Sequence, residues 1–227
     1  MSIFYVISTP IGNLEDITLR AIRILKEVDL VLCEDTRVTR KLFEKHAIST
    51  QTMSYHAQSG EAKVEIILEE IAKGKNIALV TDAGTPGISD PGSLLISKIR
   101  QEYPDLKIES VPGASALTSA LSIAGVPTHE FIFLGFMPHK KGRETLFKEI
   151  AISERTMVFY ESTHRIMKTL ESLKEHLNQT EKKVTIVREI TKIYEEVIQG
   201  SAEEVLERLT TTPEKQKGEF VVIVSVI

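Results

Sequence analysis

Cysteine is nearly absent from this sequence, and the absence narrows the environment in which the chain works. A single cysteine, Cys33, occurs among 227 residues, so no internal disulfide can form. Disulfide frameworks are typical of small secreted domains. No basic segment followed by an apolar one resembles a secretion signal, because the apolar run from Ile3 to Ile7 ends at once in Ser-Thr-Pro. We therefore expect a cytoplasmic protein.

The sequence also has no long hydrophobic run, no excess of positive charge and no metal-ligand spacing. No stretch approaches the roughly 18 apolar residues that a membrane-spanning helix needs. The net charge of -4 gives no overall attraction to nucleic acid, so any RNA contact must come from local basic clusters. The one cysteine and six histidines include no pair at a spacing such as His-x-x-x-His, and we expect no bound metal.

The sequence does contain a regular alternation of strand and helix patterns. Short apolar runs predict strands, and apolar residues at helical spacing predict helices between them. The predicted strands are 3–7, 30–33, 77–80, 106–111, 131–136, 156–160, 184–187, 196–199 and 220–227. Short connections between the last strands favour antiparallel pairing and a mixed sheet. We predict two α/β domains, 1–112 and 113–227, each with a mixed sheet flanked by helices, and a ligand cleft between them.

Residues 80–92 combine three glycines and two prolines directly after a predicted strand. Such a turn lets a ligand approach backbone amides beyond the carboxyl end of the strand. Neither the dinucleotide fingerprint nor the phosphate loop matches, and Asp82 and Asp90 would repel phosphate. A ligand that carries donors or positive charge fits better, although a tight turn without any ligand is the alternative. Asp90 followed by Pro91 also predicts the N-cap of a helix that runs through Ile99.

A second pattern follows three predicted strands, where Glu, then Thr, then a cation occur in close succession. It is found at 33–37 as Cys-Glu-Asp-Thr-Arg, at 160–165 as Tyr-Glu-Ser-Thr-His-Arg and at 188–192 as Arg-Glu-Ile-Thr-Lys. A glutamate at a strand end is usually a solvated side chain. The repetition nevertheless suggests that polar groups converge on one sheet edge to form a site.

These motifs, together with Ser-Thr-Pro-Ile-Gly-Asn at 8–13 and Val-Pro-Gly-Ala-Ser-Ala at 111–116, resemble the ribosomal RNA small-subunit methyltransferase I family of the tetrapyrrole methylase superfamily. The resemblance runs from Ile3 to the final strand. It implies S-adenosylmethionine as methyl donor and the 2'-hydroxyl of a cytidine in the decoding region of 16S rRNA as acceptor. It also implies a homodimer that acts on 16S rRNA within the small ribosomal subunit, with the donor in the cleft between the two domains.

The resemblance also assigns residues to the donor. The implied donor contacts are Pro10, Ile11, Gly12, Asp82, Ala83, Gly84, Thr85, Pro86, Ser115, Ala116, Tyr160, Glu161, Ile190, Gly218 and Glu219. The first loop reads Thr-Pro-Ile-Gly-Asn, whereas small-molecule members carry Gly-x-Gly-Pro-Gly there. This difference favours RNA over a porphyrin or corrin as substrate.

A ribose hydroxyl needs a base within hydrogen-bond reach before it can attack a methyl group. Glu34, Asp35 and Glu189 are the candidate bases, and Arg37, Arg165 or Lys192 could orient a phosphate or lower the pKa of the hydroxyl.

The candidate RNA contacts form two basic clusters, the first with Arg37, Arg40, Lys41 and Lys45 and the second with Lys140, Lys141 and Arg143. A small-molecule methylase and a non-catalytic donor-binding module remain as alternatives.

Overall fold

The computed structural model describes residues 2–226. The chain forms two compact units, which divide between Ser115 and Ala116. Each unit has a β-sheet of its own with helices packed against it, and the predicted α/β class is confirmed. The sequence predicts a domain boundary after residue 112. That boundary remains a prediction, because a division into two compact units does not test whether the units are independent domains.

In the first unit, strands and helices alternate along the chain. The strands are β1 (Ile3–Ile7), β2 (Leu30–Cys33), β3 (Thr52–Ser54), β4 (Ile77–Leu79) and β5 (Lys107–Val111). The helices are α1 (Leu19–Glu27), α2 (Thr36–His46), α3 (Glu61–Ala72) and α4 (Ser93–Glu102), with a short 3-10 helix at Leu14–Asp16. The strand order is β3-β2-β4-β1-β5.

The neighbouring strands of this sheet are paired in parallel, so the prediction of a mixed sheet is wrong for the first unit. The physical reason is the length of the connections. A helix separates each strand from the next, and such a crossover returns the chain to the same end of the sheet before the next strand begins. The carboxyl ends of β1 to β5 therefore lie along one edge.

The core of the first unit lies on both faces of this sheet. Along β2, Val31 and Cys33 pack in one cluster with α1 and α2, while Leu30 and Leu32 pack in the other with α3 and α4. This division follows the two-residue period of a strand. A strand buried on both faces reads as a continuous apolar run, which is why the sequence predicted it well.

The second unit has a different connectivity. Its strands are β6 (Phe131–Phe136), β7 (Thr156–Ser162), β8 (Lys183–Arg188), β9 (Glu196–Gly200) and β10 (Glu219–Ser225). Its helices are α5 (Ala116–Ile123), α6 (Arg143–Ile152), α7 (Ile166–Leu177) and α8 (Ala202–Thr211), with a 3-10 helix at Pro213–Gln216. The order β6-β7-β10-β8-β9 combines one parallel pair with antiparallel pairs, so the mixed sheet is confirmed here.

Helices α6, α7 and α8 cover one face of the second sheet and form its core with it. Helix α7 buries Ile166, Leu170, Leu173 and Leu177, which are the residues that the helical spacing singles out. Helix α8 begins with a capping box, in which Ser201 and Glu204 satisfy each other's backbone N–H groups. None of the helices described within residues 2–226 is both long and apolar enough to cross a membrane.

The start of α4 departs from the sequence prediction. The helix begins at Ser93 after Gly92, so Asp90 is not its N-cap and Pro91 is not its first residue. Gly92 has a φ of +142°. A glycine adopts this conformation without strain, and the chain turns there before the helix starts. Asp90 is thereby left in the loop that precedes the helix.

Candidate functional site

The loops that follow β1, β4 and β5 are hydrogen-bonded to one another. Thr9 and Gly84 exchange backbone hydrogen bonds with N–O distances of 2.9 and 3.1 Å. The hydroxyls of Ser8 and Thr85 are 2.8 Å apart, and that of Thr85 also donates to the carbonyl of Ala114 at 3.4 Å. The order of the sheet places β1 between β4 and β5, and the structure thus brings the predicted donor loops together.

Two glycines allow this close approach. Gly84 has a φ of +86°, which favours glycine over residues with a side chain. A Cβ atom on Gly113 would lie 3.1 Å from the Cβ of Ser8 and 3.3 Å from its carbonyl oxygen. Any larger residue at 113 would therefore push the third loop away from the first. Contacts between the loops are therefore a reason for glycine at positions 84 and 113, in addition to any ligand that the loops bind.

The predicted donor contacts of the first unit differ in exposure. Pro10, Ile11, Gly84 and Pro86 are buried, while Gly12 and Ala83 are exposed. The remaining residues of this set, Asp82, Thr85 and Ser115, are half-buried, as is Ala116, the first residue of the second unit. The loops therefore combine buried positions that fix the backbone with partly exposed positions that a ligand can reach.

Carboxylates gather at the same edge of the first sheet. Glu34 follows β2 and lines two cavities, of about 950 and 550 Å³. Asp90 lines the larger cavity together with Tyr55, and Asp82 and Asp35 line the smaller one. The Oδ1 atom of Asp82 accepts a hydrogen bond from the backbone N–H of Asp35 at 3.0 Å. Negative charge is thus concentrated beside the glycine-rich loops.

The pKa values of Glu34 and Asp90 rise at this edge. Burial raises the pKa of Glu34, and the negative charge of Asp82 raises it further against a smaller opposite effect of His56. Burial, followed by the charges of Glu34 and Asp82, raises the pKa of Asp90 to about 6. A carboxylate with a raised pKa accepts a proton more readily, so both groups are better suited to act as bases than an ordinary carboxylate is.

Asp35 differs from its neighbour Glu34 because it forms an ion pair with Arg37. It caps α2 by accepting a hydrogen bond from Arg37 N, and the Arg37 guanidinium binds both of its carboxylate oxygens. Hydrogen bonds from Arg37 lower the pKa of Asp35 to about 2. Asp35 is therefore a weak base with a structural role at the start of α2. Arg40, Lys41 and Lys45 lie exposed on the same helix.

The second unit holds another polar edge, where β7, β10 and β8 meet. Strands β7 and β8 are both antiparallel to β10, so their carboxyl ends lie beside the start of β10. The Oε1 atom of Glu189 accepts hydrogen bonds from Lys192 Nζ and from the backbone N–H of Glu219, each at 2.9 Å. Lys192 also pairs with the Glu219 carboxylate at 2.8 Å.

The geometry at Glu189 is tight. Glu189 and Thr191 have φ values of +51° and +67°, in the region that disfavours side chains. A Cβ atom on Gly218 would lie 2.6 Å from the Cγ of Glu189, so this position requires glycine. Burial acts to raise the pKa of Glu189, but hydrogen bonds from Lys192 and from Glu219 N outweigh it and the pKa is lowered. Ile190, between the two strained residues, is buried.

Glu161 lies beneath the same edge, with no exposed surface on its side chain. Its carboxylate is 2.8 Å from the Arg165 guanidinium and 3.8 Å from that of Arg143. It also accepts hydrogen bonds from the Thr169 hydroxyl at 2.6 Å and from Ser162 N at 2.9 Å. Buried charges require partners of this kind. The Glu161 carboxylate thus binds groups inside the second unit.

Arg143 is half-buried, unlike the two exposed lysines of its predicted RNA-binding cluster. Its guanidinium is largely buried against Glu161 and the ring of Phe147, and it donates to Thr169 Oγ1 at 2.7 Å. Lys140 and Lys141 are exposed in the loop before α6. The sequence shows three basic residues within four positions, and only the structure distinguishes the one that packs inward.

The three occurrences of the Glu, Thr and cation pattern do not meet on one sheet edge. The pattern at 33–37 follows β2 of the first sheet, whereas those at 160–165 and 188–192 follow β7 and β8 of the second sheet. The residue groups around Glu161 and Glu189 lie on either side of β10. The described residues, 2–226, contain no group of His, Cys, Asp and Glu placed to hold a metal ion.

Two features of the site were not anticipated from the sequence. Asp90 was interpreted as a helix cap, yet it lines the larger cavity with Glu34. Phe136, at the end of β6, is a half-exposed aromatic residue whose ring packs edge-on against Tyr160 with centroids 5.4 Å apart. The only available signal for Phe136 was its place before the basic loop, because a phenylalanine in a strand pattern ordinarily indicates core.

Comparison with known proteins agrees with the fold and with the motifs. The family model of the Tetrapyrrole (Corrin/Porphyrin) Methylases matches residues 4–206. The chain is 41% identical to the ribosomal RNA small subunit methyltransferase I of Thermotoga maritima, over 97% of this chain and 96% of that protein. It is 44% identical to the protein of that name from Hydrogenobaculum sp., over 97% and 94%.

A solved structure described as the methyltransferase CobJ has a similar fold. It aligns with a TM-score of 0.70 over the whole of this chain and 95% of that one, at 19% sequence identity. Identity at this level shows the shared fold and does not extend to a shared substrate.

Proposed function

Because this chain belongs to the tetrapyrrole methylase family, and within it to the ribosomal RNA small subunit methyltransferase I group, we propose that it methylates small-subunit ribosomal RNA. The proposed donor is S-adenosylmethionine, and the proposed acceptor is the 2'-hydroxyl of a cytidine in the decoding region of 16S rRNA. The observation that carries the proposal is the set of hydrogen-bonded loops after β1, β4 and β5, bordered by carboxylates.

This edge fits the chemistry of the donor. S-adenosylmethionine carries a sulfonium and an ammonium group but no phosphate, so it needs carboxylates and close backbone groups in place of a lysine cradle. Asp82 supplies negative charge directly beside Gly84. In the first unit the proposed donor contacts are Pro10, Ile11, Gly12, Asp82, Ala83, Gly84, Thr85, Pro86 and Ser115. In the second unit they are Ala116, Tyr160, Ile190, Gly218 and Glu219, while Glu161 supports them from the interior.

When bound, the donor supplies a methyl group on a positively charged sulfur, which an oxygen nucleophile can attack. The chain must then accept the proton of the ribose hydroxyl. Among the candidate bases, the raised pKa of Glu34 suits this task best. The lowered pKa values of Asp35 and Glu189 suit it less. We therefore assign the base to Glu34, with Arg37 and Lys192 as cations that hold the neighbouring carboxylates in place.

RNA would be held through local positive charge, since the whole chain is acidic. Arg40 and Lys41 on α2, and Lys140 and Lys141 before α6, are exposed and available for phosphates. Arg37 keeps most of its side chain exposed while it pairs with Asp35. An enzyme that acts on ribosomal RNA is expected in the cytoplasm with its substrate, and the family resemblance further suggests a homodimer.

The first experiment is transfer of radiolabelled methyl from S-adenosylmethionine to small ribosomal subunits that lack the modification, followed by alkaline hydrolysis of the rRNA. Methylation of the 2'-oxygen blocks alkaline cleavage, so we expect label in an alkali-resistant dinucleotide. Label in mononucleotides would mean that a base is methylated. No label on subunits or free rRNA, despite measurable donor binding, would refute the proposed function in favour of a small-molecule or non-catalytic one.

A further inference from the structure

An aromatic cluster lies where β6 ends at the edge of the second sheet. The ring of Tyr160 makes edge-to-face contacts with Phe133 at 5.0 Å and with Phe136 at 5.4 Å between centroids. Phe136 is nevertheless 53% exposed. Its ring thus contacts Tyr160 on one side, while about half of the surface of Phe136 is open to solvent.

A bulge in β6 produces this arrangement. In a regular strand, residues three apart point to opposite faces of the sheet. The pairing of β6 with β7 shifts register between Phe133 and Phe136, and Gly135 within the shift has a φ of +65°. An extra residue in one strand turns the following side chains to the other face. The bulge therefore brings both phenylalanines onto the same tyrosine ring.

The chain that follows Phe136 is anchored to the interior of the second unit. The Arg165 guanidinium donates to the carbonyl of Met137 at 2.7 Å, and that of Arg143 donates to the carbonyl of Pro138 at 3.2 Å. Both arginines are held in turn by the buried carboxylate of Glu161. The loop is thus attached at its base to the same network that fixes the end of β7.

Beyond this anchor the loop exposes His139, Lys140 and Lys141 in succession. Within residues 2–226 the structure records no ion pair for either lysine. The nearest acidic residue along the chain, Glu144, is paired with His176 and Lys148. The positive charge of the loop is therefore uncompensated, and it begins only a few residues after the exposed ring of Phe136.

An exposed aromatic ring, followed four and five residues later by exposed lysines that form no ion pair within residues 2–226, suits single-stranded RNA. Bases stack on aromatic side chains, and lysines neutralise the phosphates between them. We propose that Phe136 stacks on a base of the substrate RNA and that Lys140 and Lys141 bind its backbone. Arg143 and Arg165 act as positioning residues that hold the loop in place. This inference rests on the proposed function, because it assigns a contact surface to the same RNA substrate.

The test compares variants of Phe136 in methyl transfer to unmodified small subunits and in binding of 16S rRNA. F136A and F136L are expected to raise KM and the Kd for rRNA about tenfold, since base stacking is lost in both. F136W should restore wild-type values. The Kd for S-adenosylmethionine should stay unchanged in all three. F131A is the matched control, because Phe131 is a partly exposed phenylalanine at the other end of the same strand.

The lysines are tested by the salt dependence of rRNA binding. K140A/K141A should weaken binding and reduce the slope of log Kd against log salt by about 1.4, the value expected for two single-strand phosphate contacts. F136A should weaken binding without changing the slope. K168A/K183A removes the same charge from exposed positions on α7 and β8 and should change neither quantity.

The outcomes separate this inference from the proposed function. Wild-type transfer together with wild-type KM and rRNA affinity in F136A would overturn the inference alone. F136L that behaves as wild type while F136A is impaired would also overturn it, because apolar bulk would then suffice. A dimer that dissociates in F136A would identify the ring as a subunit contact and equally refute stacking. If the wild-type protein neither binds nor methylates rRNA, both proposals fall together.

Discussion

The two polar edges of this protein share a sequence pattern but differ in their electrostatics. In the first unit the cation of the pattern, Arg37, pairs with Asp35, and Glu34 remains without a cationic partner among the ion pairs of residues 2–226. In the second unit, Lys192 pairs with Glu189, and Arg165 pairs with Glu161. Burial raises the pKa of Glu34 with no ion pair among the described residues to oppose it, whereas hydrogen bonds from Lys192 and from Glu219 N lower the pKa of Glu189 against the effect of burial.

This difference teaches that an intervening carboxylate, and not the spacing of the cation, decides the chemistry of the strand-end glutamate, because the cation stands three residues after both Glu34 and Glu189. In the first unit a carboxylate follows Glu34 directly and takes up the arginine two residues later. In the second unit no such competitor intervenes, and the cation reaches the glutamate itself. We therefore propose proton transfer at the first edge, and donor contact with structural support at the second.

The largest expected effect is on the stability of the second unit. Glu161→Ala leaves Arg143 and Arg165 with uncompensated buried charge, so we expect the free energy of unfolding to fall by about 3–5 kcal/mol. Urea denaturation, with hydrogen exchange measured on β7 and β10, checks this. Glu171→Ala removes an exposed carboxylate from α7 and should cost less than about 0.5 kcal/mol. Equal stability of the two variants would show that Glu161 contributes no more to the free energy of unfolding than an exposed carboxylate does.

The next prediction concerns the base. Glu34→Gln should lower kcat about hundredfold, because general base catalysis typically contributes at least that factor, while donor binding is retained. The acid limb of the wild-type pH profile, which reports protonation of the base, should disappear in this variant. Glu189→Gln is the matched change at the second edge and should have a much smaller effect on kcat. If Glu189→Gln lowered kcat more than Glu34→Gln does, the base would have to be assigned to the second edge instead of the first.

Donor binding tests the first edge independently of the acceptor. Gly84→Val places a branched side chain at a φ of +86° among the hydrogen-bonded loops, and we expect a loss of donor affinity of at least tenfold. Gly74→Val is the control, because Gly74 has a similar φ of +82° but no neighbouring atom within 4 Å of the added Cβ. Calorimetric titration with S-adenosylmethionine measures both. Unchanged affinity in Gly84→Val would remove the donor from this edge.

The smallest expected effect is a pH dependence of stability. The pKa of Asp90 rises from 3.8 to about 6 on folding, so the folded state holds this proton more tightly than the unfolded state. The resulting stability is complete below pH 3.8 and is lost as the pH rises through 6. Asp90→Asn, which stays neutral, should therefore stabilise the protein by about 1–2 kcal/mol at pH 8 and by nothing near pH 3, after allowance for partial exposure.

Thermal unfolding at both pH values measures this effect. Asp35→Asn provides a contrast at the same edge, because the pKa of Asp35 is lowered to about 2 by Arg37. Its charged form is stabilised in the folded state, so this variant should lose stability at pH 8. A stabilising effect of both substitutions would indicate that net negative charge alone, and not the local partners, governs the first edge.

Much of the fold could be predicted from the sequence, and particular elements show why. Strands buried on both faces, such as β2 and β4, are continuous apolar runs. Helix α7 has its apolar residues at helical spacing, and α8 has a capping box. Strand β3 was missed because it spans three half-buried residues, and α2 was missed because its exposed face is rich in basic residues.

The candidate site could be predicted only in part. The glycine-rich loops were recognised because small residues after strands have a local cause in backbone conformation. The partners of the charged residues were not predictable, since they depend on which residues face each other. Arg143 lies within three residues of Lys140, yet it packs inward against Glu161. Asp90 precedes a proline as a helix cap would, yet it lines a cavity with Glu34.

The sequence by itself determined most of the secondary structure elements and the polar segments at the ends of their strands. Both depend on periodicity and on turn chemistry, which act over a few residues. The tertiary structure decided the parallel pairing of the first sheet, the convergence of three loops on Ser8 and Thr85, and the choice of partner for every buried charge. Those features depend on contacts between residues distant in the chain, because an ionisable group takes its pKa from whatever the fold places beside it.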